Sequence, residues 1–103
     1  MHTHELYLLA WKHWGADSQL DILIEEMAEL TQAIIKSRRE GVVFSYNFKE
    51  EIADFMICLD QIESKIKYTD IRIWDDIQKI KDRKITRLEE RLVRSMESEG
   101  CSP

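Results

Sequence analysis

Glycine and proline are almost missing from this chain, and no other feature constrains its fold as tightly. Among 103 residues there are three glycines and one proline, and the proline is the last residue. Sheets built from many short strands need frequent turn residues, whereas long helices need their absence. The chain is therefore expected to form a few long helices, in one all-α domain over residues 1–97, with 98–103 as a flexible tail.

Four helical segments follow from the apolar spacing. The first runs from Thr3 to Trp14 and stops at Gly15, a natural residue for the position after a helix end. Asp17 or Ser18 caps the second, with Ser18 and Asp21 resembling a capping box; its apolar stripe is Leu20, Leu23, Ile24, Met27, Leu30, Thr31, Ile34 and Ile35, ending near Arg39. "EGVVFSY" reads as a loop. Asn47 with Glu50 forms a second capping box for a helix reaching about Lys67. Thr69 or Asp70 caps the fourth, amphipathic through Trp74, Ile77, Ile80, Ile85, Leu88 and Leu92.

Charge narrows the partners. The net charge of −5 argues against general nucleic-acid binding, which needs a basic face. "ELYLLAW" is too short for a membrane span or leader, and Lys12 and His13 follow it at once. Cys58 sits mid-helix among apolar residues and Cys101 lies in the tail. Neither belongs to a disulfide framework, so the expected setting is a cytoplasm, without membrane or nucleic acid.

Two acidic clusters stand out against this background. "LIEEMAEL" (23–30) places Glu25, Glu26 and Glu29 inside an apolar run, and "FKEEIADFMICL" (48–59) places Glu50, Glu51 and Asp54 in another. Glu26 and Glu29 are three apart and share a helix face with Ile22 and Ala33. Glu51 sits within the stripe of Phe48, Phe55, Cys58, Ile62 and Ile66, with Asp54 at its edge. A carboxylate in such a stripe loses hydration unless something compensates it. Four carboxylates converging from two helices make a hard, oxygen-rich site of the kind Mg²⁺ or Mn²⁺ takes. On the fourth helix, Lys84 and Arg91 lie seven apart within the apolar stripe and Arg87 lies at its edge, which suits them to neutralise carboxylates or hold phosphates.

With these residues in hand the chain resembles a known family. "EEMAE" followed by "EIAD" is similar to the E-E-x-x-E … E-x-x-D signature of the MazG-like, all-α nucleoside triphosphate pyrophosphohydrolases. "WGADSQLDILIEEMAELTQAI", "EEIADFMICLDQI" and "KITRLEERL" resemble the family's small members in the same order, covering roughly Trp11 to Leu92. The resemblance implies a four-helix-bundle-type fold completed by oligomerisation, as a homodimer or homotetramer. It implies Mg²⁺-dependent hydrolysis of an NTP or dNTP to the monophosphate and pyrophosphate. Glu26, Glu29, Glu51 and Asp54 would then be metal ligands, and Glu25 would ligate a second metal or orient the attacking water. Lys84, with Arg87 or Arg91, would face the phosphates.

Some positions depart from the family pattern or carry less. The linker "TQAIIKSRREGVVFSYNFKE" holds no feature tied to one base, and Cys58 stands where some relatives have an aromatic residue. Trp11, Trp14 and Phe44 are base-stacking candidates, though aromatics at helix ends more often serve packing. Lys36, Arg38 and Arg39 suit phosphate, and equally suit a helix C-terminus. Two other functions fit the same scaffold. One is phosphoribosyl-ATP pyrophosphohydrolysis; the other is a non-catalytic helical interaction module with the fourth helix as its contact surface.

Overall fold

A computed structural model describes residues 1–100, and they contain four α-helices and no strand: α1 (Thr3–Trp14), α2 (Ala16–Glu40), α3 (Tyr46–Thr69) and α4 (Ile71–Ser98). The expected all-α class is what the described residues show. Cys101 and the rest of the expected tail beyond Gly100 lie outside them. The chain divides into two units, one holding α1, α2 and α3 up to Thr69, the other α4 from Asp70 onward. No helix among the described residues is long and apolar enough to cross a membrane.

Local chemistry explains each boundary. Gly15 alone joins α1 to α2, with φ 86° and ψ 163°, a backbone region that a side chain excludes. Its N–H closes α1 on the Trp11 carbonyl at 2.9 Å. The expected capping by Asp17 or Ser18 does not occur, because α2 starts at Ala16 straight from Gly15 and has no side-chain cap. At its other end Gly41 is left-handed, and bonds from Gly41 N–H to Arg38 and from Val42 N–H to Ser37 close a Schellman motif.

The cap of α3 is also displaced from the expected one. Ser45, not Asn47, takes that role: its Oγ accepts the Phe48 N–H at 3.1 Å and meets the Ser37 hydroxyl at 2.8 Å. A hydroxyl tied to the end of α2 is already positioned for the role, so helix entry and the turn are one feature. Asp70 caps α4 by accepting the Arg72 N–H at 3.0 Å, one of the two expected residues.

Within the first unit the side chains buried most deeply are not those of the main apolar stripe of α2. Gln19, Ala33 and Ser37 are buried, whereas Leu20, Ile24, Met27 and Ile35 of the stripe are exposed, Ile24 at 63%. Ala33, at 2% exposure, lies seven residues after Glu26 on the same line. Opposite, Cys58 of α3 is buried, with Phe48, Phe55, Ile62 and Ile66 half-buried, as the spacing predicts. Trp11 is 8% exposed and its Nε1–H donates to the Gln61 carbonyl at 3.0 Å, fastening α1 to α3. In the second unit α4 buries no residue, and Ile77, Ile80, Ile85, Leu88 and Leu92 are exposed along it.

Candidate metal centre

The acidic pairs come together because α2 and α3 run antiparallel from the tight Ser37–Ser45 connection. Counting back from Ser37 to Glu26 and forward from Ser45 to Asp54 covers similar lengths of helix, so the two pairs meet at one level. One carboxylate oxygen from each of Glu26, Glu51 and Asp54 lies within 4.8 Å of the others. Glu26 and Glu51 are half-buried and Asp54 is open to solvent.

The electrostatics of this group are unbalanced. Glu26 Oε2 and Glu51 Oε2 are buried and have no hydrogen-bond partner. Loss of hydration, and after it the charges of Glu29, Asp54 and Glu51, push the Glu26 carboxyl above its usual range. Glu51 is raised by the same loss, then by Glu29, Asp54 and Glu50. Neither the Lys67–Glu63 nor the Arg72–Asp70 ion pair involves the cluster. Hard oxygen donors, two of them shielded from water without a hydrogen-bond partner, fit a divalent cation.

Each expected site residue has a definite place. Glu26, Glu51 and Asp54 form the close group; Glu29 is exposed and is not one of the three, yet it lies beside them, with its side chain and its charge both acting on Glu26 and Glu51. Glu25 is exposed on α2 and is not one of the close group. Lys84, Arg87 and Arg91 belong to α4; all three are exposed and line shallow recesses along that helix with Ile80 and Leu88. Trp11 is a packing residue with its indole nitrogen engaged, so of the three stacking candidates Trp14, 60% exposed and edge-on to His13, and Phe44, 67% exposed and tilted against Phe48, keep an exposed face.

Cys58 acquires a significance that its sequence context hid. The thiol is pushed upward by burial and then by the charges of Glu26 and Asp54, although its sulfur is not among the close group. The signal was available in its spacing, four residues after Asp54 and seven after Glu51, one face of one helix. A cleft of about 450 Å³ also opens at the α2–α3 connection, with Ile34, Arg38, Phe44 and Phe48 among its walls. Phe48 stands one turn before Glu51. Comparison with family models, with curated proteins and with solved structures finds no match for this chain.

Proposed function

We propose that the protein is a Mg²⁺-dependent nucleoside triphosphate pyrophosphohydrolase of the MazG-like kind, clearing nucleotides by conversion to the monophosphate and pyrophosphate. The observation that carries the proposal is the close group of Glu26, Glu51 and Asp54, two of whose oxygens are buried without a partner. An uncompensated carboxylate cluster persists in a helical interface at a cost in stability, and function is the ordinary reason for such a cost. The signature resemblance supports the same residues from sequence alone.

In this proposal Glu26, Glu51 and Asp54 hold the ion, with Glu29 beside them. When bound, Mg²⁺ offsets charge on the phosphate oxygens and acts as a Lewis acid toward the phosphoryl group. Glu25, exposed next to Glu26, orients the attacking water or serves a second ion. Lys84, Arg87 and Arg91 provide the charge that a triphosphate requires. The cleft beside Phe44 and Phe48 is of a size suited to a nucleobase. A second copy of the chain, in a dimer or tetramer, would cover the exposed Leu20, Ile24, Met27 and Ile35.

One observation favours a different class. The exposed apolar line of α4 suits an interaction module that performs no chemistry. The two are separated by incubating the purified protein with each common NTP and dNTP, with Mg²⁺ or with EDTA, and identifying products by chromatography. Monophosphate plus pyrophosphate, formed only with metal and abolished by Asp54→Asn, is the expected result. Turnover of phosphoribosyl-ATP alone would move the protein to that related reaction. Absence of turnover together with absence of metal binding would refute the enzyme proposal.

A further inference from the structure

We infer that the cleft at the α2–α3 connection selects the base, taking an oxopurine such as guanine ahead of adenine or cytosine, with Phe44 as the stacking surface and Arg38 reading the base edge. The inference rests on the nucleotide part of the proposed function and names its substrate class.

Folding brings the two ends of the connection together. Arg38 stands in the last turn of α2 and Phe48 in the first turn of α3, and both line the cleft of about 450 Å³. Its walls are largely apolar, with Ser37 and Arg38 as the polar side chains among them. Ser37 is 3% exposed, and its hydroxyl is engaged with that of Ser45 at 2.8 Å. The Gly41 and Val42 N–H groups are spent on the Arg38 and Ser37 carbonyls, at 3.2 and 3.0 Å. What the cleft offers a ligand is the exposed guanidinium of Arg38, a group that donates and never accepts. Among the described residues no carboxylate or amide side chain lines it.

Phe44 supplies the flat surface. It is 67% exposed, and Phe48 lies against it with ring centroids 5.6 Å apart and planes inclined by 52°. Phe48 props the ring without covering it, which leaves a face for a planar ligand. Stacking of this kind tolerates every base, so the edge decides. Guanine presents O6 and N7 as neighbouring acceptors, which the guanidinium fork meets with two bonds. Adenine carries an amino donor where guanine has O6, so one arm of the fork meets a donor and loses its bond. Cytosine also has adjacent acceptors, but its single ring covers less of Phe44 than a purine does.

The test needs neither metal nor turnover, so it can fail separately from the hydrolase proposal. The full chain in EDTA is titrated with guanosine, inosine, adenosine and cytidine, with binding followed by ligand-observed NMR. Guanosine should bind about fivefold or more tighter than adenosine or cytidine. Inosine, which keeps O6 and N7, should bind like guanosine. Arg38→Lys keeps the charge without the fork and should bring guanosine to within about twofold of adenosine. Arg39→Gln, at a neighbouring residue that lines a different recess, should keep the preference. Phe44→Ala should weaken all four nucleosides.

Equal midpoints for guanosine and adenosine or cytidine would overturn the inference. So would inosine binding like adenosine, or an unchanged preference in Arg38→Lys. Absence of nucleoside binding beside metal-dependent turnover of NTPs would also overturn it, with the hydrolase proposal left standing. A guanosine preference that depends on Arg38, found without turnover, would keep the cleft's role and remove the hydrolysis.

Discussion

Replacing Ala33 with leucine is expected to disturb the metal centre from about 10 Å away along α2, a distance set by seven residues at 1.5 Å each. Ala33 lies on the line from Glu26 to Ser37, the line that faces α3, and is 2% exposed. Leucine adds three carbons where no space is free. Overpacking of that kind costs about 1–3 kcal/mol, relieved partly by spreading the helices. For a domain of this size each kcal/mol lowers Tm by about 4–8 °C, so the loss should fall between roughly 4 and 24 °C. Spreading also separates Glu26 on α2 from Glu51 and Asp54 on α3, so the Mg²⁺-induced rise in Tm should shrink. Ala28→Leu is the control. Ala28 is exposed on the same helix, and leucine nearly matches alanine in helix propensity, so stability should stay within about 0.5 kcal/mol of the parent. Thermal unfolding followed by circular dichroism, with EDTA and with Mg²⁺, reads both quantities. Equal Tm values and equal Mg²⁺ responses in the two variants would refute the close α2–α3 packing on which the site depends.

Folding of the ion-free protein should be pH-dependent with a definite sign. Burial and neighbouring charge raise the Glu26 and Glu51 carboxyls above 4.5, so between 4.5 and the folded values the native state binds more protons than the unfolded chain. Their contribution is fully present below 4.5 and is lost as pH rises through the folded values, so Tm in EDTA should fall across that window; saturating Mg²⁺ should oppose the fall. Asp70, held below 3.8 by Arg72, works in the opposite direction but only under that value, outside the window. Glu51→Gln should raise Tm in EDTA by removing repulsion and should abolish turnover; a lower Tm would contradict the electrostatic account. Trp11→Phe removes the bond to the Gln61 carbonyl, for roughly 0.5–1.5 kcal/mol plus lost packing, and should leave the Mg²⁺ midpoint in place, as isothermal titration can show. Ser45→Ala should cost about 0.5–2 kcal/mol through loss of the α3 cap, whereas Asn47→Ala should cost much less; denaturant melts distinguish them.

Much of the secondary structure was legible in the sequence because its causes are local. Gly15 and Gly41 end helices through a backbone conformation that side chains disfavour, and Asp70 starts one through a bond to a residue two positions on. The spacing of Glu26, Glu51 and Asp54 on their helices is likewise a matter of residue count, since 3.6 residues make a turn. The cap of α3 was misplaced because Ser45 depends on Ser37, a residue of the preceding helix.

Packing settled the rest. Apolar periodicity on α2 marks a stripe through Leu20, Ile24 and Met27, yet the chain packs the line of Gln19, Glu26, Ala33 and Ser37. Small side chains let two helices approach closely, and periodicity registers hydrophobicity, not size. Trp11 became an anchor, not a free stacking surface, because the Gln61 carbonyl lies within reach of its indole nitrogen. Which carboxylates meet follows from the register of α2 on α3. By itself the sequence determined four helices and the face each charge occupies. The tertiary structure decided which faces meet, since that depends on contacts between residues far apart in the chain.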